Sequence, residues 1–135
     1  LKFWVNMLML SSMEDVPQEL LTTSLMRAKF CELIAESAGH IHDKDTYFLA
    51  GLFSNLGAFF KTPIDEIVSE MPLSDEIRMA LVDKKGPIGD VLKVLVAMEQ
   101  ANVSITNLHF ENLSISDIGN RFMAANAWAQ QAIVS

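Results

Sequence analysis

Cysteine is nearly absent from this chain of 135 residues: Cys31 stands alone, which excludes an internal disulfide and a cysteine-based zinc cluster. A lone thiol suits a reducing cytoplasm, the expected location. Basic residues are also few. Ten Lys and Arg face seventeen Asp and Glu, for a net charge of −7, and Lys84-Lys85 is the only adjacent basic pair. Phosphate backbones need clustered cations, so no nucleic-acid partner is expected. No apolar run approaches the ~18 residues of a membrane span. The apolar stretch 1–10 is interrupted by Lys2 and Asn6 and lacks the basic start and cleavage site of a signal peptide. No membrane partner is expected. Alternating apolar and polar residues occur only briefly, at 102–108, so strands are not expected either. There is no repeat and no low-complexity tract.

Half of the residues are apolar, enough for a sizeable core. The punctuation among them is helical. Residues 1–12 have the pattern of a buried helix end. Asp15-Val16-Pro17 opens a long helix whose stripe is Leu21, Leu25, Ala28 and Ala35, widened by Leu33 and Ile34, and Ala38-Gly39 closes it. A second long helix starts between 43 and 46 and runs through 60. Its Phe48, Leu49, Leu52, Phe53, Leu56, Phe59 and Phe60 mark it as the expected centre of the core. Thr62-Pro63-Ile64-Asp65 supplies cap, first-turn proline and first-turn acid for a short helix to about 71, and Ser74 caps another to about 84. Gly86-Pro87-Ile88-Gly89 is expected to form a turn before an apolar helix over 90–100. After an irregular, polar stretch 102–113, Ser114 or Ser116 caps a last helix with Ile118, Phe122, Ala125, Ala129 and Ile133 near one face. The expected fold is an all-α, compact bundle of about seven helices.

Candidate chemistry is sparse. His40-Ile41-His42-Asp43 is the obvious metal candidate, but hydrolytic metal centres gather ligands from several helices. The competing expectation is that Asp43 or Asp45 caps the following helix while both histidines are solvated. The third histidine is the distant His109. Arg27 is expected to pair with Glu32 or another buried acid, with contact to a partner as the alternative. Cys31 is expected to be a core thiol. Ser54 has no histidine base at a helpful spacing, and its hydroxyl is expected to bond back to a carbonyl one turn earlier. Met7, Met9, Met26, Met79 and Met98 are expected as core filler. Trp4 and Trp128 are candidates for partner anchors or for core packing, with packing favoured; Ala124, Ala125 and Ala127 leave room beside Trp128.

Gly51-Leu52-Phe53-Ser54-Asn55-Leu56-Gly57 has the apolar frame of a segment in the HD metal-dependent phosphohydrolases, which resembles Gly-Leu-Leu-His-Asp-Ile-Gly. In those enzymes the His-Asp pair holds the metal. Ser54 and Asn55 occupy its place here, and Arg27 falls where the resemblance puts the first His. A hydroxyl and an amide do not replace imidazole and carboxylate as ligands for a divalent cation. More closely, the chain resembles the C-terminal part of the HDOD domain, the HD-related output domain that bacterial signalling proteins join to an EAL domain. The segments that carry this likeness run in order: Arg27-Ala28-Lys29-Phe30-Cys31-Glu32, Phe48-Leu49-Ala50-Gly51-Leu52-Phe53-Ser54, Pro72-Leu73-Ser74-Asp75-Glu76-Ile77 with Ala80-Leu81, and Ala125-Asn126-Ala127-Trp128-Ala129.

The resemblance implies that residues 1–135 are the C-terminal portion of a single HDOD-like domain, short at its N-terminus. It implies a non-catalytic output module that regulates a linked EAL domain in cyclic di-GMP signalling, without metal, cofactor or catalytic residue. Ser54 and Asn55 would be vestigial metal-site positions, and Arg27, Glu32 and Trp128 interaction or structural residues. The implied partner is another protein or the linked EAL domain. A homodimer is a further expectation, because truncation exposes Leu1, Phe3, Trp4 and Leu8. The alternatives are a metal-dependent HD-type phosphohydrolase using His40, His42 and Asp43, and a nucleotide-sensing domain with its ligand near Ser54 and Asn55.

Overall fold

The computed structural model describes residues 18–100 and 110–134. The expected helix at 1–12, with Leu1, Phe3, Trp4, Met7, Leu8 and Met9, lies outside the described residues. So do Asp15-Val16-Pro17, the stretch 102–108, His109 and the side chains of Phe59 and Ile133.

The described residues form an all-α bundle. Its seven helices are α1 (Gln18–Ser37), α2 (Lys44–Phe53), α3 (Leu56–Phe60), α4 (Ile64–Ser69), α5 (Asp75–Asp83), α6 (Gly86–Gln100) and α7 (Ile115–Val134). A single 3-10 turn, Ile41–Asp43, leads into α2, and Phe110 and Leu113 pair across a tight turn before α7.

The centre of the core is α1, not the helix over 43–60 that its phenylalanines favoured. Leu21, Ser24, Leu25, Met26, Ala28, Phe30, Cys31, Ile34 and Ala35 are all buried, more than one stripe can account for. The reason is that α1 packs against α2, α6 and α7 at once, so most of its circumference is covered. Phe48 and Leu52 of α2 enter the same core, with Ile77 and Leu81 of α5, Ile88, Val91 and Leu95 of α6, and Ile118, Ala125 and Ala129 of α7. The small alanines let α7 lie close to α1, and Phe122 meets Phe30 edge-on at 5.8 Å. Met26 is buried and Met98 packs partly against the core, but Met79 is 45% exposed on α5 and fills nothing.

Helix ends follow backbone chemistry with some shifts from expectation. Gly39, at φ +94°, closes α1: His40 N–H reaches Ala35 O at 2.7 Å and Gly39 N–H reaches Glu36 O at 3.3 Å, the double bond of a Schellman cap. Asp43 stands at the start of α2, but its side chain makes no capping bond. The 3-10 turn replaces it, with Asp43 N–H bonded to His40 O at 3.0 Å. Pro63, not Thr62, holds the cap position of α4, while the Thr62 hydroxyl turns back to Phe60 O. Ser74 caps α5 by accepting the Ile77 N–H at 3.3 Å. α6 begins at Gly86 and absorbs the expected turn, with Pro87 in its first turn where the missing N–H is tolerated. Ser114 rather than Ser116 caps α7, accepting from Asp117 N–H at 3.3 Å while Asp117 accepts in return from Ser114 N–H at 3.1 Å. These bonds from the backbone and hydroxyl of Ser114 hold the Asp117 carboxyl below its usual range.

The expected helix over 43–60 is broken in two at Ser54 and Asn55. Asn55 N–H reaches only to Leu52 O, at 3.5 Å, so the chain tightens by one residue before α3 starts. That break sets the geometry of the site.

Candidate functional site at the α1–α2 crossing

Gly51 brings α2 against α1 at backbone distance. A Cβ there would lie 2.4 Å from the Arg27 carbonyl oxygen and 2.9 Å from Ala28 Cα, so only hydrogen fits between the two helices. Ser54 follows Gly51 by three residues and shares its face. Its hydroxyl donates to Gly51 O at 2.6 Å, the back-bond expected for it, and remains free to accept.

What it accepts is Arg27. One guanidinium nitrogen, Nη1, lies 3.2 Å from both the hydroxyl and the carbonyl oxygen of Ser54. The other edge of the guanidinium grips Glu99 with two parallel bonds, Nε to Oε2 at 3.0 Å and Nη2 to Oε1 at 2.8 Å. Side-chain exposures of 19% and 20% place this pair well out of bulk water, where a two-pronged ion pair is geometrically fixed. Arg27 thus ties α1, the α2–α3 break and the last turn of α6. Its acid partner is Glu99 and not Glu32, which bonds Lys29 instead at 3.1 Å.

Asn55 faces the other way. It is buried, and its amide donates to Leu20 O at 3.2 Å and to Ser24 Oγ at 3.0 Å. Both residues at the break therefore hold α1, one through Arg27 and one through the N-terminal half of the helix. Beside Arg27 and Ser54 lies a cavity of about 70 Å³, with Leu81, Leu92 and Leu95 on its apolar side. Small-ligand pockets run to roughly 300–1,000 Å³, so this space accommodates water rather than a nucleotide.

The structure brings residues 27 and 54 together, the two positions that the HD resemblance pairs. The residues present do not fit a divalent ion. A guanidinium stands within hydrogen-bond distance of Ser54 and Glu99, and its charge opposes a second cation on the same oxygens. Asn55 contributes a donor, and that donor points away. The loop histidines do not gather either. His40 Nε2 lies 2.7 Å from Glu111 Oε2, beside the rings of Tyr47 and Phe110, so it is paired rather than solvated. His42 and Asp43 are exposed. Among the described residues, no three His, Cys, Asp or Glu side chains are placed to share a metal ion.

Cys31 is fully buried on α1. Burial pushes its thiol up to about 12, against the lowering effect of Arg27, so it is a protonated core residue and not a thiolate nucleophile. Burial, followed by the negative charge of Glu111, pushes the Tyr47 phenol up to about 12 as well. Trp128 belongs to a separate cluster. Its ring meets Phe48 edge-on at 6.4 Å and carries Lys29 Nζ 5.2 Å from its centroid, and the same Lys29 bonds Glu32. Trp128 is partly buried against the core.

Glu99 is the residue that sequence reasoning missed. A signal for it exists: α6 carries no base in its last turn, and a carboxylate at a helix C-terminus is disfavoured by the helix dipole unless a cation from elsewhere holds it.

No family model matches the chain, and no solved structure matches it. It is similar to the cyclic di-GMP phosphodiesterase CdgJ of Vibrio cholerae, with 33% identity over 116 residues, 84% of this chain and 27% of that protein. It is also similar to YuxH of Bacillus subtilis, an uncharacterized protein, with 34% identity over 84 residues, 62% of this chain and 20% of YuxH. The chain therefore spans about a quarter or less of the length of these curated relatives. Among the described residues no helix is long and apolar enough to cross a membrane.

Proposed function

We propose that this chain is a non-catalytic output module of the HDOD type, acting by protein–protein contact in cyclic di-GMP signalling. The partner is a phosphodiesterase unit of the EAL kind, in the same polypeptide or a separate one. The observation that carries the reading is the state of the two positions a metal-dependent relative would need. Ser54 is bonded to Arg27 and Gly51, and the Asn55 amide nitrogen to Leu20 and Ser24, so the Ser54 hydroxyl and the Asn55 amide N–H are engaged inside the fold. A metal-activated water has no ligand set to hold it there. The similarity to a cyclic di-GMP phosphodiesterase supports the signalling context. The match covers only 27% of that protein, which leaves ample room for a separate catalytic unit in it.

The test measures cyclic di-GMP hydrolysis by a phosphodiesterase unit of the EAL kind, linked to this chain or mixed with it, with and without residues 1–135. The expected result is no hydrolysis by this chain alone and a changed rate or a measurable complex when the two are together. Hydrolysis of a phosphodiester by the chain alone, abolished by chelation and by His42→Ala, would establish the phosphohydrolase alternative. Stabilisation of the chain by a free nucleotide would favour the sensor alternative, against which the size of the cavity beside Ser54 already argues.

A further inference from the structure

We infer that the α1–α2 crossing is a cation centre whose resident cation is the chain's own guanidinium, so that the locus is closed to free metal ions. The inference rests on the coordination of Arg27 and does not depend on which partner the module serves.

The oxygens around Arg27 are those a hard cation would use. Both carboxylate oxygens of Glu99 lie at 2.8–3.0 Å, and the hydroxyl and carbonyl oxygens of Ser54 at 3.2 Å. They come from two separate parts of the chain, the α2–α3 break and the end of α6, and meet opposite edges of one guanidinium beside α1. Carboxylate, carbonyl and hydroxyl oxygens together suit Mg²⁺ or Mn²⁺ in composition. Here each of them meets a nitrogen of Arg27. The guanidinium is planar and always charged, and its fork geometry fits Glu99 on one edge and Ser54 on the other. The match is shape-specific, because Lys would supply the charge at a single point and could not span both partners.

Two properties follow. The native chain is insensitive to divalent ions at this locus, since the oxygens are already neutralised by a cation that cannot dissociate. Truncating the side chain leaves those oxygens facing an empty space of guanidinium shape, which a free guanidinium ion can enter.

The experiment uses the full chain, its Arg27→Ala and Arg27→Lys variants, and Arg27→Ala combined with Glu99→Gln. Thermal unfolding is followed in low-millimolar guanidinium chloride and in sodium chloride of equal ionic strength. The native chain is also titrated with Mn²⁺ by calorimetry. The expected result is a lowered Tm for Arg27→Ala that guanidinium restores in part and sodium does not, with no restoration in the double variant. Arg27→Lys should fall between native and Ala and gain little from guanidinium. The inference is overturned if guanidinium has no effect on Arg27→Ala, or acts equally with and without Glu99. One-to-one Mn²⁺ binding by the native chain, lost in Glu99→Gln, also overturns it. Where Arg27→Ala does not fold, the Mn²⁺ titration decides by itself: silence at millimolar ion supports the resident cation, and stoichiometric binding removes it.

Discussion

Gly51→Ala tests the crossing on which the whole site depends. The added methyl carbon would sit 2.4 Å from Arg27 O, 2.8 Å from Arg27 C and 2.9 Å from Ala28 Cα. All three atoms are backbone, so no rotamer change relieves the overlap. To reach an ordinary carbon contact the two helices must separate by about 1 Å. Ala28 is fully buried, and the shift opens a seam in the core on both sides of it. Overpacking of this kind costs about 1–3 kcal/mol, and rigid backbone on both sides puts Gly51 at the upper end. Moving α2 also lengthens the bonds of Ser54 to Arg27, at about 1.5–3 kcal/mol for a fully lost charge-assisted bond. Against these stands a gain of ~1 kcal/mol in helix propensity. The net expectation is destabilisation by about 2–4 kcal/mol, a Tm loss on the order of 10 °C for a chain of this size.

Gly119→Ala is the internal control. Gly119 lies in α7, and nothing stands within 4 Å of the place its added methyl carbon would take, so only the propensity remains and the variant should gain ~0.5–1 kcal/mol. Urea unfolding of both variants, followed by far-ultraviolet circular dichroism, compares the two substitutions directly. An Arg27–Glu99 tie that depends on the close crossing also predicts a Gly51→Ala chain that is less affected than native by Glu99→Gln. If Gly51→Ala proves as stable as the native chain, the crossing is not as close as described, and the placement of Ser54 against Arg27 loses its support.

Asn55→Asp removes both donor bonds and sets a carboxylate against Leu20 O in a buried position, so a loss of about 3 kcal/mol is expected near neutral pH, partly recovered in acid as the carboxyl protonates and donates. Unchanged urea midpoints at neutral pH would show that the amide bonds contribute nothing. Cys31 and Tyr47 both hold their protons more tightly folded than unfolded, with folded values of about 12 against ordinary values of 9.0 and 10.0. Stability is therefore full below the unfolded values and declines as pH rises toward about 12, from 9.0 for Cys31, by at most ~1.4 kcal/mol per pH unit, and from 10.0 for Tyr47, by less because solvent screens its phenol. Midpoints that stay flat across that range would contradict the burial of both groups. In the same samples the Cys31 thiol should resist a disulfide reagent until the chain unfolds, and rapid labelling of the native chain would show that α1 is not covered as described.

Much of the fold was legible because caps and periodicity are local. Ser74 and Ser114 announce their helices through bonds to residues three positions on, and Gly39 ends α1 because its backbone angle excludes most other residues. The break at Ser54 was not legible. A serine and an asparagine inside an apolar helical pattern read as continuous helix, and what interrupts it is tertiary: Asn55 is drawn to Leu20 and Ser24, 35 and 31 residues away. The same holds for the centre of the core. Aromatic content favoured the helix over 43–60, whereas the number of neighbouring helices decided for α1, and no local pattern encodes that number.

The site divides along the same line. Ser54 and its back-bond follow from residues within one turn, but Arg27 finds Glu99 72 residues away, and a nearer acid, Glu32, is taken by Lys29. Geometry explains why. Residues 27 and 32 are five apart on α1, spread to different faces of the helix, so Arg27 points to the α2–α3 break while Glu32 stays with Lys29 and Trp128 toward α7. The apolar frame from Gly51 to Gly57 fixes the position of residue 54 opposite residue 27 whatever those residues are, because Gly51 sets the helix separation through backbone contact alone. Histidine at both positions would face a common point, and so do serine and arginine. On the reading proposed here, the frame outlasts its chemistry because its packing is independent of the ligands, and the Arg27 guanidinium satisfies Ser54 and Glu99, which would otherwise be left as partly buried acceptors without a cation.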